Sequence, residues 1–270
     1  MIDRILAALL LTLLMAATPH IASAASFSLS DEVVSGATRL AGETRDLAVS
    51  TVDPDGGLWW TLTTAGAVAL TYTFDDDIHD KLAGIHGSRL DKAADAGSFI
   101  GNPFLHLGIA AAVYGGGILA DSPKHKELGE MLGEAALLAD GVTFVLKEAT
   151  GRARPLTGAG KDHFRPFQFT TDYDSFPSMH TASSFAMASV VAATSDSWTT
   201  GALSYAAAGF VGFSRLYQDK HWASDVVLAA VLGEVCGRIV THYHAGSSQR
   251  VMLTPQTMGD GVGLALTGRF

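Results

Sequence analysis

The sequence predicts an all-α protein, a multi-helix bundle that carries a short C-terminal β-hairpin. Apolar residues make up 48% of the 270-residue chain and charged residues only 17%, with a mean hydropathy of +0.25, which implies many buried helices. Uncharged apolar runs and helically spaced apolar positions fill most of the chain from residue 58 to 243. Strand-like segments occur only in the tail.

The elements follow in order. Arg4 precedes a 13-residue stretch, Ile5 to Ala17, that is apolar but for Thr12, and Ala22-Ser23-Ala24 supplies an A-x-A cleavage pattern. Residues 1–24 therefore read as a signal peptide cut after Ala24, which would leave the mature chain in the periplasm. An uncut span needs ~20 apolar residues, and here Pro19 and His20 follow a shorter stretch. Residues 25–98 form a helical lead-in. Within it, the polar segment 26–57 reads as a helix or an extended stretch, ending at the turn signal Asp53-Pro54-Asp55-Gly56-Gly57. Leu58 to Phe74 is uncharged, and the charged stretch 75–96 is expected to hold one short helix around Ile78 to Ile85.

Residues 99–245 are read as the helical core. Phe99 to Ala120 is again uncharged, interrupted by Asn102-Pro103 and Gly115 to Gly117. Glu127 to Lys147 carries Leu128, Met131, Leu132, Ala135, Leu138, Ala139 and Val142 on one broad face and ends at Gly151 and Pro155. A long loop, Leu156 to Phe176, precedes helices at about 178–194, 200–213 and 222–243. Residues 246–270 are a strand-like tail in which 250–257 and 262–270 flank Met258-Gly259-Asp260-Gly261.

Composition also excludes. A net charge of −9 argues against a nucleic-acid partner, which needs a basic footprint. Cys236 is the sole cysteine, so no intrachain disulfide forms, and its apolar setting predicts buried filler. No HExxH or GxSxG occurs, and Gly158 to Lys161 fails the P-loop pattern because Pro155 and Asp162 stand at fixed positions. Asp75, Asp76, Asp77, His79 and Asp80 resemble a metal cluster, but acidic helix starts are common. His242 and His244 read as structural.

Three short stretches carry the chemistry: KEATGRARP (Lys147 to Pro155), PSMH (Pro177 to His180) and SRLYQDKHWASD (Ser214 to Asp225). His221 and Asp225 are four apart, so on a helix they would share a face. A carboxylate on one imidazole nitrogen fixes the tautomer and frees the other to attack, making His221 the candidate nucleophile and Asp225 its orienter. The fork of Arg215 suits phosphoryl oxygens. Pro155 pushes Arg154 out of helical geometry, so that it faces back towards Lys147 and the two cations hold a dianion. Pro177 is expected as the first residue of a helix capped by Asp174 or Ser175. That helix N-terminus offers free N–H groups to an anion, Ser178 adds a hydroxyl, and His180 becomes the candidate general acid. Arg152 reads as solvated or structural. His163 and Arg165 are loop residues with either a leaving-group or a surface role.

Together the three stretches resemble the signature K-x6-R-P, P-S-G-H and S-R-x5-H-x3-D of the type 2 phosphatidic acid phosphatase and vanadium haloperoxidase superfamily. The resemblance covers about half of the chain with flanking helices. It implies a helical bundle of that type and metal-independent phosphomonoester hydrolysis through a phosphohistidine, with no cofactor. Lys147, Arg154, Ser178 and Arg215 would bind phosphate, along with the backbone N–H of residue 179. His180 would be the acid, His221 the nucleophile and Asp225 its partner. Met179 departs from the signature glycine, and its side chain would narrow the leaving-group site. The implied substrate is a phosphorylated lipid, a lipid pyrophosphate or a small phosphomonoester. The alternatives are a vanadate-dependent haloperoxidase and a non-catalytic phosphate- or phospholipid-binding envelope protein. The loop from Ser195 to Thr200 lacks Lys and Arg, which favours a periplasmic bundle touching a membrane over a fully embedded one.

Overall fold

The computed structural model describes residues 29–53 and 57–247 and two strands, 252–258 and 261–267. The expected signal peptide lies outside the described residues, as do 54–56 and 259–260 in the two expected turns.

The polar lead-in is helical rather than extended, forming α1 (Leu29–Ser50). The uncharged run that follows is α2 (Gly57–Thr73), none of whose residues is buried. The charged stretch holds two helices where the sequence suggested one, α3 (Asp75–Ala83) and α4 (Ser88–Ile100). Asp75, Asp76 and Asp77 occupy the first turn of α3 and Lys81 the last, each sign matching the helix dipole.

The uncharged run at 99–120 does not form one rod. Asn102 caps α5 (Pro103–Leu119), its side chain accepting from the N–H groups of Phe104 at 2.9 Å and Leu105 at 3.3 Å. Pro103 takes the first helical position, where no N–H is needed. The break bends α4 and α5 by 53°, and among the described residues no single helix is long and apolar enough to cross a membrane, though this bent pair passes on length and composition.

α6 (Pro123–Thr150) extends beyond the expected span at both ends and is the longest described helix, at 28 residues. After the loop come α7 (Met179–Thr194), α8 (Trp198–Tyr217) and α9 (Ala223–Ser247). α7 is the centre of the bundle and packs against α6, α8 and α9, while α5 lies on α6, α4 on α8, and α1 and α2 on α9. The seams are narrow because their residues are small: Ala182 and Ala186 of α7 meet Ala135 and Ala139 of α6 and Ala229 of α9 in one cluster with Leu138, Val190 and Val240. Cys236 is fully buried in that cluster, as its setting implied. In the tail, β1 (Met252–Met258) and β2 (Gly261–Thr267) pair antiparallel, with Met252 opposite Thr267 and Met258 opposite Gly261.

This arrangement sets the C-terminus of α6, the N-terminus of α7 and the turn between α8 and α9 beside one another. Each of the three sequence stretches lies at one of these junctions.

Candidate active site

Lys147 enters the site because α6 stops one turn later. Gly151 adopts a left-handed conformation (φ 57°) and its N–H donates to the Lys147 carbonyl at 2.8 Å. A Cβ at Gly151 would stand 1.9 Å from the Arg165 carbonyl oxygen, so only glycine allows the loop to return this closely. The Lys147 ammonium is buried and donates to the Asp174 carbonyl. Burial, with Arg154 and Arg215 adding repulsion, lowers its pKa to about 8.

Arg154 leaves the helix in extended geometry (ψ 151°), as the following proline requires. Its Nε donates to Asp174 Oδ1 at 2.6 Å, with Nη2 also 2.6 Å from that oxygen. Arg215, in the last turn of α8, is buried and donates from Nη1 to Ser98 Oγ at 2.6 Å and Gln218 Oε1 at 3.2 Å. Its Nε is buried with no acceptor. Desolvation, then the charge of Arg154, pushes its pKa down to about 10.

The start of α7 differs from expectation. Pro177, joined to Phe176 by a cis bond, precedes the cap, Ser178 is the N-cap, and the helix begins at Met179. Asp174 and Ser175 do not cap it. They serve as partners for Arg154 and for Asp225. Ser178 is fully buried, its N–H donates to the Asp225 carbonyl at 3.2 Å, and its Oγ accepts from Thr181 at 3.0 Å. As the first helical residues, Met179 and His180 have backbone N–H groups with no intrahelical acceptor. Met179 is half-buried.

The largest correction concerns His221 and Asp225. α9 starts at Ala223, so His221 lies in the turn before the helix and the shared-face argument fails. Its Nδ1 meets the Ser175 carbonyl at 2.6 Å, whereas Asp225 Oδ2 is 3.8 Å away. A carbonyl can only accept, so Nδ1 carries the proton and Nε2 the free lone pair. The Asp225 carboxylate is engaged elsewhere. Oδ1 accepts from Arg152 Nη1 at 2.5 Å, and Oδ2 accepts from Ser175 Oγ at 2.5 Å and the Trp222 N–H at 2.8 Å. Ser175 thus bridges the two, its hydroxyl on Asp225 and its carbonyl on the imidazole.

Arg152, read from the sequence as solvated or structural, takes the structural role. It is almost wholly buried. Besides Asp225, it donates to Asp75 Oδ2 and to Ser224 Oγ, both at 2.8 Å, and its guanidinium lies 4.8 Å from the Tyr72 ring centroid and 5.4 Å from that of Trp222. Asp75 in turn accepts from the Ser224 N–H at 2.8 Å and hydroxyl at 2.6 Å. The acidic run of α3 therefore does not gather as a metal site: Asp75 serves Arg152, Asp76 pairs with Lys161 at 2.9 Å, and His79 meets Asp219 at 3.2 Å. His163 and Arg165 both rest on Tyr173.

Charge ties the site together. Burial and the same three cations, Lys147, Arg154 and Arg215, depress both imidazoles, His180 to about 3 and His221 well below its ordinary value. Both rings are neutral near pH 7. The candidate residues thus share one cluster in which three buried or half-buried cations face Asp174 and two neutral histidines.

Residues 131–248 match the sequence model of the PAP2 superfamily. The lipid A 1-phosphatase of Porphyromonas gingivalis is 34% identical over 122 residues, which is 43% of this chain and 24% of that protein. The chain thus spans about a quarter of the length of that curated relative. Among solved structures, Aquifex aeolicus LpxE superposes with a TM-score of 0.51 at 22% identity, over 63% of this chain and 96% of that one. A transmembrane PAP2-type phosphatidylglycerolphosphate phosphatase from Bacillus subtilis gives 0.52 at 19% identity, over 70% of this chain and 94% of that one. At those identities the likeness is one of fold. In motif order and in sequence, residues 131–248 are similar to the PAP2 superfamily, and the fold is that of PAP2-type helical phosphatases.

Proposed function

We propose that this protein is a phosphatase acting on a phosphorylated lipid through a phosphohistidine at His221, without a metal in the chemical step. One observation carries the proposal. Among the described residues, Lys147, Arg154 and Arg215 are drawn together with only Asp174 as a paired carboxylate, and Arg215 keeps a buried donor unused. Uncompensated buried charge costs several kcal/mol per ion, and a phosphate dianion would remove that cost.

The steps follow from the groups present. The phosphoryl oxygens take the three cations, the Ser178 hydroxyl and the first N–H groups of α7. Nε2 of His221 attacks phosphorus in line, and the bond to the leaving alkoxide breaks. His180 delivers the proton to that oxygen. Burial and then the three cations keep His180 neutral in the free site, and the bound dianion offsets the repulsion, which is how the ring acquires the proton. Water then attacks the phosphohistidine, with His180 taking its proton, and inorganic phosphate leaves. The Nδ1–H bond to Ser175 steadies the charged ring in both steps.

Two observations support a lipid substrate. The matched relative from P. gingivalis is a lipid A 1-phosphatase. In addition, α2 buries no residue, and Trp59, Trp60, Phe104, Trp198 and Leu203 are exposed, so a bilayer surface would cover much of this apolar area. We infer export to the periplasm from the A-x-A pattern at Ala22 to Ala24.

The test is a phosphate-release screen of the purified protein on lipid A, phosphatidylglycerolphosphate, phosphatidate and soluble monoesters. Lipid phosphates should turn over and vanadate should inhibit. His221→Ala should lose on the order of 10^4-fold or more in kcat while keeping its Tm. Full activity in that variant would refute the mechanism. Turnover of soluble monoesters alone would refute the lipid assignment.

A further inference from the structure

A second charged cluster sits at the other end of the bundle and has no part in the phosphoryl chemistry. Glu134 precedes Lys147 by 13 residues on α6, about 20 Å at 1.5 Å per residue. Around it, Glu43 of α1 and His244 of α9 complete a buried trio whose carboxylate and imidazole atoms all lie within 4.8 Å of one another.

We propose that Glu43, Glu134 and His244 bind a divalent transition cation of the zinc class, which staples α1 to α6 and α9. The observation that points to a ligand is Glu43. Glu43 is 0% exposed, and among the described residues neither carboxylate oxygen meets a hydrogen-bond donor. The nearest strong influence on it is a like charge, Glu134. A buried carboxyl left this way needs a proton or a cation, and with no cation present burial pushes its pKa up to about 8.

The surroundings suit a cation. Glu134 is held by its far oxygen, Oε1 accepting from Arg39 Nε at 2.8 Å, which leaves Oε2 directed at His244 Nε2, 2.6 Å away. On the other side of the ring, His244 Nδ1 lies 3.7 Å from Glu127 Oε1. Carboxylate, imidazole and metal in that order are the usual way in which a protein fixes a ligating histidine. A single cation between Oε2 of Glu134 and Nε2 of His244 would open that short contact to the roughly 2.0–2.2 Å bonds that zinc makes with each, with Glu43 supplying one or both free oxygens. Two carboxylates balance the charge of the cation. The imidazole selects against magnesium, which prefers oxygen and retained water. Close approach of the helices makes the geometry possible: Gly42 leaves no room beside Tyr243, where a Cβ would come within 2.7 Å of the phenol oxygen. The two neighbouring positions, Glu43 and His244, are thereby brought face to face.

The experiment uses the full chain without a histidine tag. Metal content is measured on the protein as purified, and zinc, manganese and magnesium are titrated calorimetrically into chelator-stripped protein. About one zinc per chain should bind, raising Tm, with magnesium far weaker. Glu43→Gln and His244→Ala should each weaken zinc binding by about 100-fold or more, beyond the 10–100-fold that outer partners carry. His221→Ala should bind zinc as the wild type does. Because Gln replaces a protonated carboxyl, Glu43→Gln should match the stripped wild type in Tm, so lost binding is not lost folding. Chelation should lower Tm and leave turnover at 25 °C intact. Substoichiometric zinc in the wild type, wild-type affinity in both Glu43→Gln and His244→Ala, or loss of binding in His221→Ala would each overturn the proposal, the first leaving a proton shared between Glu43 and Glu134.

Discussion

Two points along α6, its C-terminal end at Lys147 and its middle at Glu134, solve the same problem with opposite sign. Near Lys147, three cations outnumber the one carboxylate paired among them, Asp174. Near Glu134, Glu43 and Glu134 face Arg39. Both places bury a histidine, and in both the residual charge rather than the histidine sets what ligand would suit the site: an anion near Lys147, a proton or cation near Glu134. Between these cases stands Arg152, whose charge is met by Asp75 and Asp225. It asks for no ligand and so belongs to the architecture. Buried charge marks a site only where it is left unbalanced.

The largest expected effect outside the nucleophile comes from upsetting the balanced group. Arg152→Met leaves Asp75 and Asp225 buried without their cation and should cost about 3–5 kcal/mol, read as a fall in Tm of roughly 10 °C. Arg152→Lys should recover little, since one ammonium cannot reach both carboxylates in the fork geometry. An unchanged Tm in Arg152→Met would dissolve the contrast drawn here.

Next comes the relay to the nucleophile. Because His221 Nδ1 is held by the Ser175 carbonyl at 2.6 Å and stands 3.8 Å from Asp225, Asp225→Asn should reduce kcat by about 10–100-fold. A direct carboxylate partner would carry roughly 10^4-fold. A loss of that larger size would mean that the carboxylate takes over the Nδ1 proton during turnover.

The pH profile sharpens the anion end. Lys147 loses its proton near pH 8 in the free protein, so kcat/KM should fall as pH rises through about 8, where one of three cations disappears. Lys147→Arg keeps its charge through that range, so its alkaline limb should move up by about one unit or more even if the maximum rate drops. The acid side is not set by His221, whose depressed pKa keeps the ring neutral well below pH 6.5. An alkaline limb that stays in place in Lys147→Arg would assign it to another group.

The legible part of this molecule was local and the rest was tertiary. The helices follow from apolar spacing and from Asn102, Pro103 and Gly151, whose effects reach only a turn away. The three motif stretches stood out because their residue types and spacings resemble a phosphate-binding pattern, and the fold brings them to adjoining helix ends. Arg152 lies inside the first motif, yet its role depends on Asp75, 77 residues away in sequence, and no spacing rule reports that. Ser175 was misread for a related reason. It acts through its carbonyl as well as its hydroxyl, and a carbonyl leaves no trace in residue type. α9 starts at Ala223, close to the expected 222, so His221 precedes the helix, and its Nδ1 partner comes from Ser175 across the fold rather than from the four-residue spacing.

Met179 should give the smallest effect. It opens α7 half-buried, and the group offered to phosphate there is a backbone N–H that methionine keeps. Met179→Gly should therefore leave inhibition by inorganic phosphate unchanged. What it removes is side-chain volume beside the leaving group, so kcat/KM should rise for bulky lipid phosphates by roughly ten-fold or less, with soluble monoesters unaffected. A matching change in phosphate inhibition would shift the residue's role from the leaving group to the anion itself. No change for any phosphomonoester would remove the side chain from the reaction altogether.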